Sequence, residues 1–164
     1  MLAGLVMIIT AVTPQDTTPH RDSLATPTIE QIRYMQGLRT ATRGVTQIRD
    51  GLNRIVRTQK ADSLTRRRAA RRLGGLCGAA RSFILSGRPK MQATAYNDSL
   101  RVLAKQLTTR LDSLNSALPN CEKTAGRDPT VPTLLTTRLK NYDDALLAFR
   151  TALKPDSAKT ASQQ

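Results

Sequence analysis

The sequence predicts an all-α fold: an elongated antiparallel bundle of three to four helices with coiled-coil-like seams. Three observations carry that prediction. Apolar residues recur at three- and four-residue spacing over long stretches, the signature of amphipathic helices. The β-branched residues are mostly Thr, scattered without the alternation that a strand requires. Aromatic residues make up 3% of the 164 residues and Trp is missing, so Leu, Ala, Val and Ile must fill the interior. Helix-on-helix seams accept such side chains more readily than a sandwich or a barrel does.

The first helix is predicted to start at Thr26 as N-cap, with Pro27 at the first helical position and Glu30 in the first turn. From there Leu38, Ala41, Val45, Ile48, Leu52 and Ile55 follow a 3-4-3-4-3 spacing, which is a heptad seam. The six arginines from Arg33 to Arg57 all fall off it. A second seam, Ala69, Leu73, Leu76, Ala80 and Phe83, continues the same register through Gln59, Asp62 and Arg66. One long helix would fit that register. Three consecutive polar seam positions argue instead for a turn, with Asp62 or Ser63 capping a new helix, and the break is the reading adopted. Gly87 is expected to end the second helix as a left-handed cap ahead of Pro89. Gly74, Gly75 and Gly78 each cost about 1 kcal/mol in an exposed helix interior. They are read as a smooth patch where another backbone comes close.

The third helix carries Ala93, Tyr96, Leu100, Leu103, Leu107, Leu114 and Ala117 and is expected to end at Pro119, with Asn97 or Asp98 marking a later alternative start. The fourth begins near Pro132, or earlier at Pro129 behind Asp128, and runs through Leu135, Leu139, Tyr142, Leu146, Phe149 and Leu153 to Pro155. The bundle domain is therefore 27–154, with a polar, disordered tail over 155–164. A homodimer of long hairpins would use the same narrow seams.

Residues 1–12 form an apolar run broken only by Thr10. It is shorter than the roughly 20 residues of a membrane span and matches the apolar region of a signal peptide, with a short membrane anchor and a buried helix as rivals. Residues 13–26 read as a flexible tether. No basic residue precedes the run, and Pro14 spoils the one small-residue cleavage option behind it.

Cys77 and Cys121 are the only cysteines, and in an exported chain an even pair points to a disulfide. A straight hairpin folded around Arg88 objects, because at 1.5 Å per residue it leaves Cys121 about 30 Å from the level of Cys77. Either the pair is bonded and the third helix is not a straight partner of the second, or the thiols are separate. The bonded reading is adopted.

Charge is the most distinctive feature. The formal net charge is +14, and residues 31–90 hold fifteen Lys or Arg against Asp50 and Asp62, a net of +13. Such an imbalance repels itself unless an anionic partner lies nearby. Its densest part is Arg66, Arg67, Arg68, Arg71 and Arg72, read as an anion-binding patch, with a solvated helix end as the plain alternative.

Catalytic chemistry finds little footing. The one His, His20, lies in the tether, and Glu30 and Glu122 are the only glutamates, so neither a His-based triad nor a carboxylate di-metal site can be assembled. Asp143 and Asp144 are adjacent and diverge by about 100° on a helix, which rules out a paired acid and base. No cofactor and no metal are expected. The reading is a non-enzymatic exported protein, periplasmic or envelope-associated, that binds an anionic membrane surface or an acidic protein as an accessory or scaffolding subunit of a membrane complex. The alternative is a cytoplasmic basic protein binding nucleic acid non-specifically. It ranks lower because Tyr34 and Phe83 are the only rings in the basic region.

Overall fold

Thr28 opens the first helix, α1 (Ile29–Arg57), by a reciprocal capping box. The Gln31 backbone N–H donates to Thr28 Oγ1 at 3.2 Å, and the Thr28 N–H donates to Gln31 Oε1 at 3.0 Å. The start therefore lies two residues beyond the Thr26–Pro27 signal, because Gln31 satisfies a second orphan donor that Thr26 cannot. The computed structural model describes residues 26–154. The apolar run 1–12, nearly all of the tether 13–26, and the tail 155–164 lie outside the described residues, and with them the signal-peptide, anchor and disorder readings.

The expected break is present. Thr58 hydrogen-bonds back to the last turn of α1, and Asp62 caps α2 (Ser63–Gly87) by accepting from the Thr65 N–H at 2.9 Å and its hydroxyl at 2.7 Å. Those two bonds, the hydroxyl's first, hold the Asp62 carboxyl below its usual pKa, so the cap is anionic at ordinary pH. At the other end the expectation for Gly87 fails. Its φ is −81°, and the helix tightens into a 3₁₀ turn, Arg88–Lys90, instead of stopping on a left-handed residue. The glycine serves packing: a Cβ there would strike the Gly37 carbonyl of α1.

A second 3₁₀ turn, Ala93–Ala95, precedes α3 (Asp98–Thr124), which starts at the later of the two marked positions. α3 runs through Pro119, contrary to expectation. An interior Pro costs about 3 kcal/mol. The turn beyond it places Cys121 and Ala125 in the core beside Leu118, and that burial offsets the cost. α4 (Thr130–Leu153) begins at the earlier of its two signals, where Asp128 Oδ1 accepts from the Thr130 N–H at 2.8 Å and the hydroxyl at 2.7 Å.

The four helices run alternately up and down as an all-α bundle. α1 and α2 are the most closely paired, α2 packs on α3 and α3 on α4, and a shorter contact of α1 with α4 completes the set. One continuous core runs through all four and includes Leu38, Ala41, Val45, Ile48 and Leu52 of the first periodic stretch. Its aromatic centre is a trio, Tyr34, Tyr96 and Phe149, with ring centroids 5.2 to 5.5 Å apart. Tyr34 Oη donates to the Ala104 carbonyl at 3.1 Å, and Tyr142 Oη shares a hydrogen bond of 3.2 Å with Thr42 Oγ1. Burial raises all three tyrosine pKa values above the ordinary 10.0, which keeps the phenols neutral. Asp143 answers an arginine of the first helix, Arg49, at 2.7 Å, while Asp144 pairs with Lys140 on its own helix at 2.8 Å.

The cysteines show why the straight-hairpin argument fails. Arg88 pairs with Asp112 at 2.7 Å, so the end of α2 stands level with residue 112, not with the start of α3. α3 begins fourteen residues earlier, about 21 Å further out along the axis. Residues 88–97 cover that distance by running beside the first turns of α1. From the 88–112 level, Cys77 lies eleven residues one way along α2 and Cys121 nine along α3, nearly equal distances down adjacent antiparallel helices. Their Cα atoms are 6.1 Å apart and the sulfurs are joined. Both residues are fully buried.

Candidate anion-binding cleft

Three glycines seven residues apart in α1 set the geometry of the basic region. Gly37, Gly44 and Gly51 face Gly87, Ala80 and Leu73 of α2, also seven apart. A Cβ at Gly37 would lie 2.6 Å from the Gly87 carbonyl oxygen, and one at Gly44 would lie 2.5 Å from that of Ala80. At Gly51 the first obstacle, at 2.7 Å, is a side-chain methyl of Leu73, and the nearest α2 backbone atom is 3.7 Å away. The helices are thus in backbone contact at one end and drift apart towards the Thr58–Asp62 turn. The next positions in the two series are Thr58 and Arg66, both too large to continue the close approach.

Where the helices part, a cleft of about 670 Å³ opens, lined by Arg54 and Arg57 of α1 and by Arg68 and Arg72 of α2. Asn53, Thr58 and Thr65 add polar groups to its wall, Asp50 is the one acid on it, and the buried Ala69 forms part of its floor. All four arginines are exposed, and among the described residues none lies within ion-pair distance of a carboxylate. Three of the ion pairs that do form, Arg49–Asp143, Arg88–Asp112 and Lys140–Asp144, lie away from this end.

The five arginines singled out from the sequence are therefore divided by the fold. Arg68 and Arg72 enter the cleft. Arg71 points the other way and lines a smaller hollow of about 300 Å³ with Glu122, Lys123 and Arg127, at the α3–α4 turn. Arg66 and Arg67 are exposed and line neither. Arg54 and Arg57 were missed as members, because they stand nine or more residues before that cluster in the chain. The available signal was the break at Asp62, which folds the start of α2 back along the end of α1.

Of the proposed glycine patch, Gly74 and Gly78 do meet a neighbouring helix. A Cβ on either would lie 3.1 Å from the Glu122 carbonyl oxygen and 2.9 Å from its carboxylate, respectively. Gly75 meets nothing within 4 Å and does not belong to it. No group of three or more potential metal ligands occurs among the described residues, and none of their helices is long and apolar enough to cross a membrane. Compared with known proteins, the chain matches no family model, no curated protein and no solved structure.

Proposed function

We propose that this protein is a non-enzymatic, exported helical bundle that binds an anionic partner at the cell envelope through the α1–α2 end, as an accessory or scaffolding subunit of a membrane-associated complex. The observation that carries the reading is the convergence of Arg54, Arg57, Arg68 and Arg72 on one cleft whose single acid, Asp50, is outnumbered four to one and, among the described residues, is ion-paired with none of them. Four guanidinium groups held close together repel one another, and an anion arriving from outside relieves that repulsion while gaining charge-assisted hydrogen bonds. The membrane surface is the favoured partner and an acidic protein the second. The paired Cys77 and Cys121 support an oxidising compartment, and the apolar run 1–12 supports export as a signal peptide's core.

The test is co-sedimentation of the purified protein with vesicles of neutral lipid, with vesicles carrying anionic lipid, and with duplex DNA, at low and physiological ionic strength. Wild type is expected to pellet with anionic vesicles only. A variant with Arg66, Arg67, Arg68, Arg71 and Arg72 all replaced by Gln should stay folded by circular dichroism and lose that binding. Equal retention on DNA turns the reading towards a general polyanion binder, and no vesicle binding at physiological salt removes the lipid surface as partner.

A further inference from the structure

The cleft differs in kind from the rest of the basic surface, because its arginines come from two helices whose separation is set by packing. α1 and α2 are held in register by Gly37, Gly44 and Gly51 against Gly87, Ala80 and Leu73, so the two backbones that carry Arg54 and Arg57 on one wall and Arg68 and Arg72 on the other are placed by packing before any ligand arrives. A guanidinium presents a planar fork of donors that matches two oxygens of a phosphate, and forks on opposite walls can engage different oxygens of the same group. The volume, about 670 Å³, exceeds what a bare phosphate fills and falls within the range of small-molecule sites. Asn53 offers a neutral donor and acceptor around it, the Thr58 and Thr65 hydroxyls, whose protons go to the Arg54 carbonyl and to Asp62, offer acceptor lone pairs, and Asp50 offers an acceptor for hydroxyl hydrogens. We infer that the α1–α2 cleft is a discrete site for a phosphate ester of a small polyol, in which the arginines hold the phosphate and Asp50, Asn53 and the two threonines meet the hydroxyls. The chemistry is shared by a glycerophosphate lipid headgroup and by a soluble sugar or glycerol phosphate. The inference rests on the anionic-partner reading and narrows it from a charged surface to one pocket.

Two double variants of equal charge separate a pocket from a surface. Arg54→Gln with Arg72→Gln removes one fork from each wall, whereas Arg66→Gln with Arg67→Gln removes the same charge from residues outside the cleft. Each is titrated with glycerol 3-phosphate, following arginine side-chain N–H signals by NMR, and is sedimented with vesicles containing phosphatidylglycerol. In the wild type, glycerol 3-phosphate is expected to shift the signals of Arg54, Arg57, Arg68 and Arg72 and to leave those of Arg66 and Arg67 in place. The cleft variant should bind the ester at least about tenfold more weakly, the loss of a single charge-assisted hydrogen bond. The control should change by less than about threefold, since exposed charges outside the pocket act only through a screened field. Vesicle binding that follows the same order assigns the lipid as source. Ester binding without vesicle binding assigns a soluble phosphate, and then the membrane reading fails while the pocket stands. Equal weakening by both double variants, or vesicle binding by a wild type that ignores glycerol 3-phosphate, overturns the pocket and leaves the charged-surface reading intact.

Discussion

The two ends of the α1–α2 pair follow one seven-residue register and finish in opposite chemistry. At the Gly37–Gly87 end, small residues bring the backbones into contact, and the Tyr34, Tyr96 and Phe149 rings fill the space between α1, the 88–97 connection and α4. At the other end the same register arrives at Thr58 and Arg66, the helices separate, and four arginines line the gap. Each end also has an opening. That of the tight end, about 360 Å³, is lined mainly by apolar side chains such as Ile32, Met35, Leu100 and Leu153, whereas that of the open end is cationic. The closest backbone contacts of the pair thus lie at one end and the arginines of the cleft at the other.

Removing the aromatic centre of the tight end should produce the largest effect. Phe149 is fully buried against Tyr34 and Tyr96. Phe149→Ala deletes the ring and leaves a cavity that rigid helices cannot close, an expected loss of about 3 to 5 kcal/mol. Denaturant unfolding of the reduced and oxidised protein measures it. A loss below about 1 kcal/mol would mean that the trio does not anchor this end.

Next comes the bond near the middle of α2. Replacing Cys77 and Cys121 together by Ser frees a loop of 44 residues in the unfolded chain. The chain-entropy estimate for that loop is about 4 kcal/mol. The loss should appear unevenly along the helices. Hydrogen exchange should accelerate in the first half of α2 and the last turns of α3, while the amides around Gly37 and Gly87 keep their protection. Uniform acceleration over all four helices would show that the two ends do not open separately.

Much of this was legible in the sequence, for reasons that also mark where legibility stops. The all-α class, the four helices and the break at Asp62 follow from periodicity and capping, which act within a few residues. Thr28 outranking Thr26 as cap, and α3 passing through Pro119, are decided by contacts: Gln31 closing a box, and Cys121 and Ala125 finding the core. The cysteine pairing could not be placed by counting residues, because the 88–97 connection is aperiodic and its reach along α1 appears only in the folded chain. Likewise a search for clustered charge follows the chain and selects Arg66, Arg67, Arg68, Arg71 and Arg72. The cleft instead follows the register, taking Arg68 and Arg72 from that cluster and adding Arg54 and Arg57. The signal for it was the break at Asp62, which lays the start of α2 beside the end of α1; the seven-residue spacing of Gly37, Gly44 and Gly51 has meaning only against the opposing series in α2.

The smallest expected effect is also the most specific to the comparison, because one substitution should change sign with position. Gly44 and Gly75 both lie inside helices, where Gly costs about 1 kcal/mol relative to Ala in an exposed position. At Gly75 an added Cβ meets nothing within 4 Å. Gly75→Ala should therefore recover that propensity and stabilise the protein by about 0.5 to 1 kcal/mol. At Gly44 the same methyl would stand 2.5 Å from the Ala80 carbonyl oxygen, a backbone atom that cannot step aside without moving α2. Overpacking of that kind typically costs 1 to 3 kcal/mol, about enough to erase the propensity gain and leave a net loss. Thermal or denaturant unfolding of the two variants reads both signs. Stabilisation at both sites would show that α1 and α2 can separate freely at Gly44, in which case the tight end is not tight and the placement of the two cleft walls loses its cause. Destabilisation at both would place an unrecognised neighbour over Gly75 and extend the close contact to the outer face of α2.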